Sequence, residues 1–178
     1  DRYLITKKKI FDYLKAIKNL EHWLLQPDKT ELVNSYLKFW NKLNDYYNAF
    51  TQSLILKKQG YQGLLYRQAY NNSQAYIKNT DKHHVFLGFN ALNQAEENII
   101  QQLLQNNLAT IYWDTDKQFM NNKIHDAGLF LRQHKKNWNY FNDHNFNWIN
   151  NHYTSKKNIS VFGVPKNIGQ AKAIGTIL

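Results

Sequence analysis

The stretch His83-His84-Val85-Phe86-Leu87-Gly88-Phe89-Asn90-Ala91-Leu92-Asn93-Gln94-Ala95-Glu96-Glu97-Asn98-Ile99-Ile100 decides how the rest of the chain is read. An apolar run stops at a glycine, an Asn-rich turn follows, and Asn93 with Glu96 has the spacing of a capping box ahead of a helix. This predicts a buried strand over His84–Phe89 feeding a helix over about Gln94–Gln105. In α/β proteins the turn after such a strand lies at the carboxyl end of the sheet, where ligands bind. The strand ends in Leu87-Gly88-Phe89-Asn90, so this favoured position for chemistry carries no Asp or Glu.

Downstream, short apolar runs alternate with helical patterns. Further strands are expected at Ala109–Trp113 and Ile159–Phe162, and helices at about His125–Trp138, Phe141–Asn150 and Lys166–Leu178. Such alternation argues for an α/β unit over residues 81–178, a small parallel sheet with helices on its faces. Three strands leave an edge that must be covered or paired.

Upstream, residues 1–80 read as an antiparallel all-helical unit. From Tyr3 to about Leu25, Ile10, Leu14, Ile17, Leu20 and Leu24 recur at helical spacing, joined by Tyr13 and Trp23. Pro27 interrupts. Asp28 and Glu31 then offer a second capping box before a long helix carrying Leu32, Val33, Tyr36, Trp40, Leu43, Tyr47, Phe50 and Leu54, closed by Gly60. A third helix covers Gln62 to about Ile77, with Leu65, Ala69 and Tyr76 expected to face inward. The aromatic residues of this half read first as core and second as stacking platforms for bases.

A length of 178 residues suits one ordinary domain or two small ones, and 15% aromatic residues exclude a disordered tail. The absence of cysteine removes disulfides, thiolate nucleophiles and cysteine-rich zinc sites, and fits a reducing cytoplasm. No apolar run reaches membrane-spanning length and no secretory signal opens the chain, so a cytoplasmic location without a membrane partner is expected. The start at Asp1 without Met and the apolar close Ala173–Leu178 read as a piece of a longer protein.

The formal charge of +10 is uneven: residues 1–80 hold 13 Lys and Arg against 6 Asp and Glu, residues 81–178 hold 10 against 7. Lysines interleaved with Tyr and Trp suit a polyanion such as nucleic acid, although a solvated helical surface has the same composition. The candidate phosphate contacts are Lys7, Lys8, Lys9, Lys57, Lys58 and Arg67.

Asp114-Thr115-Asp116, after the strand Ile111-Tyr112-Trp113, is the best candidate for chemistry, because two carboxylates on a strand-end loop can share a magnesium ion. The same aspartates suit helix capping or a turn. His125, His134, His144 and His152 share one segment but lack His-Glu-x-x-His or i, i+4 spacing, and read as surface or boundary residues. Gly163 and Gly169 flank a strand-to-helix junction, yet Gln170 and Ala171 follow where a phosphate-cradling loop needs Lys and Ser/Thr. Pro165 fits the start of a helix. No nucleophile elbow or Ser-His-Asp pattern is present. The residues favour a module without catalytic groups, cofactor or resident metal.

The order of segments resembles the first motor domain of UvrD/Rep-type superfamily-one helicases, a partial P-loop NTPase fold, from its inserted helical subdomain onward. Where those enzymes end a strand in Asp-Glu-Phe-Gln-Asp, with acids that hold magnesium, this chain has Leu87-Gly88-Phe89-Asn90-Ala91. Leu87 and Gly88 thus correspond to a vacated Walker B position. The segment Gly-Asp-Asp-Asp-Gln is matched by Trp113-Asp114-Thr115-Asp116-Lys117, with Lys117 in place of the phosphate-sensing Gln, and Gly163-Val164-Pro165-Lys166 stands where Asn-Tyr-Arg-Ser is expected. The wording Gly88-Phe89-Asn90-Ala91-Leu92, then Ala95-Glu96-Glu97, with Asp126–Arg132 downstream, resembles the AddB-like PD-(D/E)XK nuclease family of Bacteroidetes. That resemblance covers most of residues 60–178, and residues 1–59 only by their helical character.

The resemblance implies an inactivated helicase region of a helicase-nuclease in double-strand-break repair and recombination, its exonuclease domain lying elsewhere. It also implies single-stranded DNA and an A-type helicase-nuclease subunit as partners, and no catalysis by residues 1–178 themselves. Two alternatives stand beside it: a magnesium-dependent phosphohydrolase or nucleotide-binding domain using Asp114 and Asp116, and a purely structural domain that docks the motor subunit.

Overall fold

The structure, a computed structural model, describes residues 1–23, 30–147 and 149–177. It is a mixed α/β chain, mostly helical. Three helices come first: α1 (Lys7–Trp23), α2 (Glu31–Leu56) and α3 (Gln62–Asn79). Leu24, Pro27 and Asp28 lie outside the described residues, and with them the expected Asp28 capping box. The cap of α2 is Thr30, whose side chain accepts from the Val33 amide at 3.4 Å. Its far end is closed by Lys58 and not by Gly60. Lys58 takes φ +53°, and the Lys58 and Gln59 amides donate back to Ile55 and Leu54 (both 2.9 Å). This is the left-handed helix closure that usually recruits glycine.

α1 and α2 run antiparallel, since Phe11 meets Tyr47 (ring centroids 5.5 Å) while Lys18 lies over Trp40 (5.6 Å). Only Leu37 and Thr51 of α2 are buried, so much of its apolar surface stays in solvent. In α3 the buried residues are Leu64 and Ser73, whereas Leu65, Ala69 and Tyr76 are exposed. For Ser73 the reason is its neighbour. α3 packs on α4 (Gln94–Gln105), where the small Ser73 lets the two backbones approach and donates to Gln102 Oε1 at 2.5 Å.

β1 (His84–Leu87) and β2 (Ala109–Tyr112) pair in parallel, His84 opposite Ala109 and Leu87 opposite Tyr112, with α4 as the crossover. The capping box of α4 forms as its spacing predicts: Asn93 accepts from the Ala95 and Glu96 amides (both 3.1 Å), and Glu96 accepts from the Asn93 amide (2.9 Å). Asn107, at φ +57°, closes the helix and turns the chain into β2. Packing of Ile100, Leu103 and Leu104 of α4 against Ala109 and Ile111 makes the core. Each such buried Leu or Ile side chain contributes roughly 1.5–3 kcal/mol.

Beyond β2 the structure departs from the expected three-stranded sheet. Two residues, β3 (Thr115–Asp116), pair in parallel with β4 (Ile149–Asn150), and Ile159–Phe162 forms no strand. That run has the composition of a strand, but no described strand offers it a ladder, so Ile159, Val161 and Phe162 stay exposed. Between β3 and β4 lie α5 (Lys117–Asn121), a 3-10 turn (Asp126–Gly128), α6 (Leu129–Asn137) and α7 (Tyr140–Asp143). The helix expected over His125–Trp138 therefore starts later. Gly128 passes so close to the Phe119 carbonyl that a Cβ would collide with it. The helix expected over Phe141–Asn150 is cut at Asp143, where the His144 ring lies 3.0 Å from the Tyr140 carbonyl in a run, Asn142-Asp143-His144-Asn145, of residues that disfavour helix interiors. α8 (Lys166–Ile177) follows Pro165 as expected.

Aromatic rings extend this core beyond β2. Trp113 stacks on Phe146 at 5.1 Å, 8° from parallel, and meets Trp138 at 5.7 Å; Trp138 is 1% exposed. None of the described helices is long and apolar enough to cross a membrane.

Candidate functional site

The carboxyl ends of β1 and β2 open on a crevice of about 400 Å³ lined by Leu87, Gly88, Tyr112, Trp113, Asp114 and Asn150. Gly88 ends β1 at φ +64°, a conformation in which an L side chain is strained, and its amide donates to the Tyr112 carbonyl at 3.0 Å. The side chains at the end of β1 are thus Leu87, largely exposed, and none at all. No carboxylate of β1 reaches the crevice.

The turn between β1 and α4 is held from α6. His134, only 3% exposed, donates from Nε2 to the Asn90 carbonyl (2.8 Å), because a carbonyl can only accept. Its Nδ1 lies 3.5 Å from Glu97 Oε1, and the Trp138 indole donates to Glu97 Oε2 at 3.3 Å. The expectation that the histidines are surface or boundary residues fails here, since the ring is packed between Trp113 and Trp138. The spacing of His134 and Trp138 by one helical turn is the signal for this pair.

Asp114 and Asp116 differ sharply. Asp114 is exposed on the rim shared by the crevice and a neighbouring cleft of about 470 Å³. Asp116 accepts from the Gln118 amide through Oδ1 (2.9 Å) and from the His152 and Tyr153 amides through Oδ2 (2.8 and 2.9 Å). It caps α5 and ties down the chain after β4. The Gln118 amide first, then those of Tyr153 and His152, hold this carboxyl below the usual carboxylate range. Lys157, in the same cleft, donates to the Tyr153, His152 and Ser155 carbonyls. Among the described residues no three His, Asp or Glu side chains converge as a metal-binding group.

The basic candidates of the helical half fall in separate places. Lys8 pairs with Asp12 at 2.9 Å, Lys7 lies over the Tyr47 ring at 4.8 Å, and Lys9 is exposed beside them. Lys57 and Lys58 are exposed at the far end of α2. Arg67 is turned inward: its Nε donates to Asp1 Oδ1 (2.7 Å) and its Nη2 to the Ile5 carbonyl (2.8 Å). The same carboxylate accepts from the Tyr47 and Tyr61 hydroxyls. Burial, followed by the Tyr61 hydroxyl, pushes the Tyr47 phenol well above its ordinary range.

Leu32 and Phe50, expected on the apolar face of α2, are exposed instead. At 100° per residue, Leu32, Phe39, Tyr46 and Phe50 fall within an arc of about 40° on α2, and Lys57 follows as its C-cap. Phe39, Tyr46 and Phe50 are 49%, 50% and 55% exposed. Phe39 and Tyr46 lie 6.0 Å apart, and Phe50 is parallel to Tyr61 at 6.2 Å. Comparison with family models, with curated proteins and with solved structures returned no match to the chain.

Proposed function

We propose that this chain is a non-catalytic, helicase-like module of a helicase-nuclease that processes DNA double-strand breaks, where it holds single-stranded DNA or acts as scaffold. One observation carries the reading: the half-exposed row Phe39, Tyr46 and Phe50, which runs along α2 towards Lys57 with Lys42 beside it. Bases stack on such rings with little sequence preference, at about 1–3 kcal/mol per base, while lysines follow the phosphates. The acid-free end of β1 supports the non-catalytic part, because Leu87 and Gly88 occupy the positions at which the helicase resemblance expects magnesium-holding acids.

A salt titration with a fluorescent oligothymidylate tests it. Binding is expected to weaken steeply with salt, and Phe39→Ala and Phe50→Ala should each weaken it about fivefold or more, the stacking of one base being worth ~1–3 kcal/mol. No binding at low salt removes the DNA-contact part and leaves the scaffold role, which a pull-down with the A-type subunit addresses. A rise in melting temperature with Mg²⁺ that Asp114→Ala abolishes favours the phosphohydrolase or nucleotide-binding reading instead.

A further inference from the structure

A second basic surface lies in the other half of the chain. Lys117 at the start of α5, and Arg132, Lys135 and Lys136 on α6, line one cleft of about 610 Å³ together with Asn121. These residues are spread over Lys117–Lys136 in sequence. The cleft brings them together because α5 and α6 pack closely where Gly128 passes the Phe119 carbonyl.

The charges are not balanced from within. No acidic side chain lines the cleft among the described residues. The carboxylate next to Lys117, Asp116, is engaged by three backbone amides, and Asp126, the nearest in sequence to Arg132, enters no ion pair among the described residues. Arg132 is fixed by carbonyls: its guanidinium donates to those of Phe119 (2.5 Å), Lys123 (3.3 Å) and His125 (2.9 Å), so its position is set, and it enters no ion pair among the described residues. Lys117, Lys135 and Lys136 are exposed and enter no ion pair among the described residues. A concave wall with four cations of one sign focuses its field on the enclosed solvent, and an anion there relieves their mutual repulsion.

We propose that this cleft binds phosphate groups, with Arg132 as the fixed charge and Lys117, Lys135 and Lys136 as adaptable donors. Asn121 adds an amide that can donate to a phosphate oxygen. This site is independent of the α2 row, so either can fail without the other. The phosphate can come from a nucleic-acid backbone or from a free anion, and two probes separate these sources.

The test uses the full chain and the triple variant Lys117→Gln, Lys135→Gln, Lys136→Gln, with Arg132 kept because it also holds the loop. Lys78→Gln, Lys82→Gln, Lys172→Gln, three exposed lysines outside both candidate surfaces, serves as the control, and far-ultraviolet circular dichroism checks that each variant is folded. If the phosphates belong to a strand, the cleft variant should bind an oligothymidylate at least tenfold more weakly, with a salt slope reduced by roughly 2, at about 0.7 per lost contact. If they belong to a free anion, pyrophosphate should raise the melting temperature of the unaltered chain and not of the cleft variant. The proposal is overturned if the folded cleft variant matches the unaltered chain with both probes, or if the unaltered chain responds to neither. Loss of strand binding on removing the α2 rings, with the cleft variant matching the unaltered chain for both the strand and pyrophosphate, would sink this proposal and leave the α2 reading standing.

Discussion

Asp116 holds three backbone amides with one carboxylate, and that fixes how it responds to acid. Its pKa is lowered in the folded chain, so the stability it contributes is present above the unfolded value, near 3.9, and is lost as pH falls through the folded value. Urea midpoints of the unaltered chain should therefore drop below about pH 4. Asp116→Asn should lower the midpoint at pH 7 and flatten that acid limb; parallel curves for the two proteins would mean the amide bonds contribute nothing. The capping use of an aspartate after a strand is legible in the sequence, but the two amides from beyond β4 are not, because they come from more than thirty residues away. Lys58 and Asn107 teach the same lesson. Each closes a helix in the left-handed region, where glycine is the usual signal, and Gly60 drew the prediction two residues too far.

At the scale of elements, the helices whose ends are set by neighbouring residues are the ones the sequence gives away. α4 has its cap, its reciprocal Glu96 and its apolar face within one short stretch, and it forms at the expected residues. Asn93→Ala should cost about 1 kcal/mol of stability, read as a lowered urea midpoint at unchanged slope. An unchanged midpoint would mean that the Glu96 carboxylate and solvent satisfy the helix start unaided. Elements that depend on a distant partner are harder. α3 turns Ser73 and Ile77 towards α4 and buries Leu64 on its opposite side, a phase its own sparse apolar residues do not specify. Ile159–Phe162 has the residue types of a strand, yet a strand exists only where another offers its amides and carbonyls.

For the molecule as a whole, the two halves of the sequence meet through α3 on α4, and their functional surfaces differ in how far they could be foreseen. The acid-free end of β1 is written in Leu87-Gly88. The ring row of α2 is not, since rings at helical spacing suit a core equally well. It faces solvent because α2 has more apolar surface than α1 covers. The basic cleft on α5 and α6 is assembled by a close turn at Gly128, which no residue spacing announces.

The unpaired run Ile159-Ser160-Val161-Phe162 has a further consequence for how the protein behaves in concentrated solution. Uncharged, rich in β-branched and aromatic residues and open to solvent, it is the kind of segment that stacks into cross-β fibrils. Lys156 and Lys157 precede it and Pro165 and Lys166 follow it, flanks that repel or interrupt a growing stack. Replacing Lys156, Lys157 and Pro165 with alanine should shorten the lag before thioflavin T fluorescence rises, and an unchanged lag would place the aggregation risk elsewhere. The colloidal lifetime of this chain then rests on four exposed residues outside the buried core.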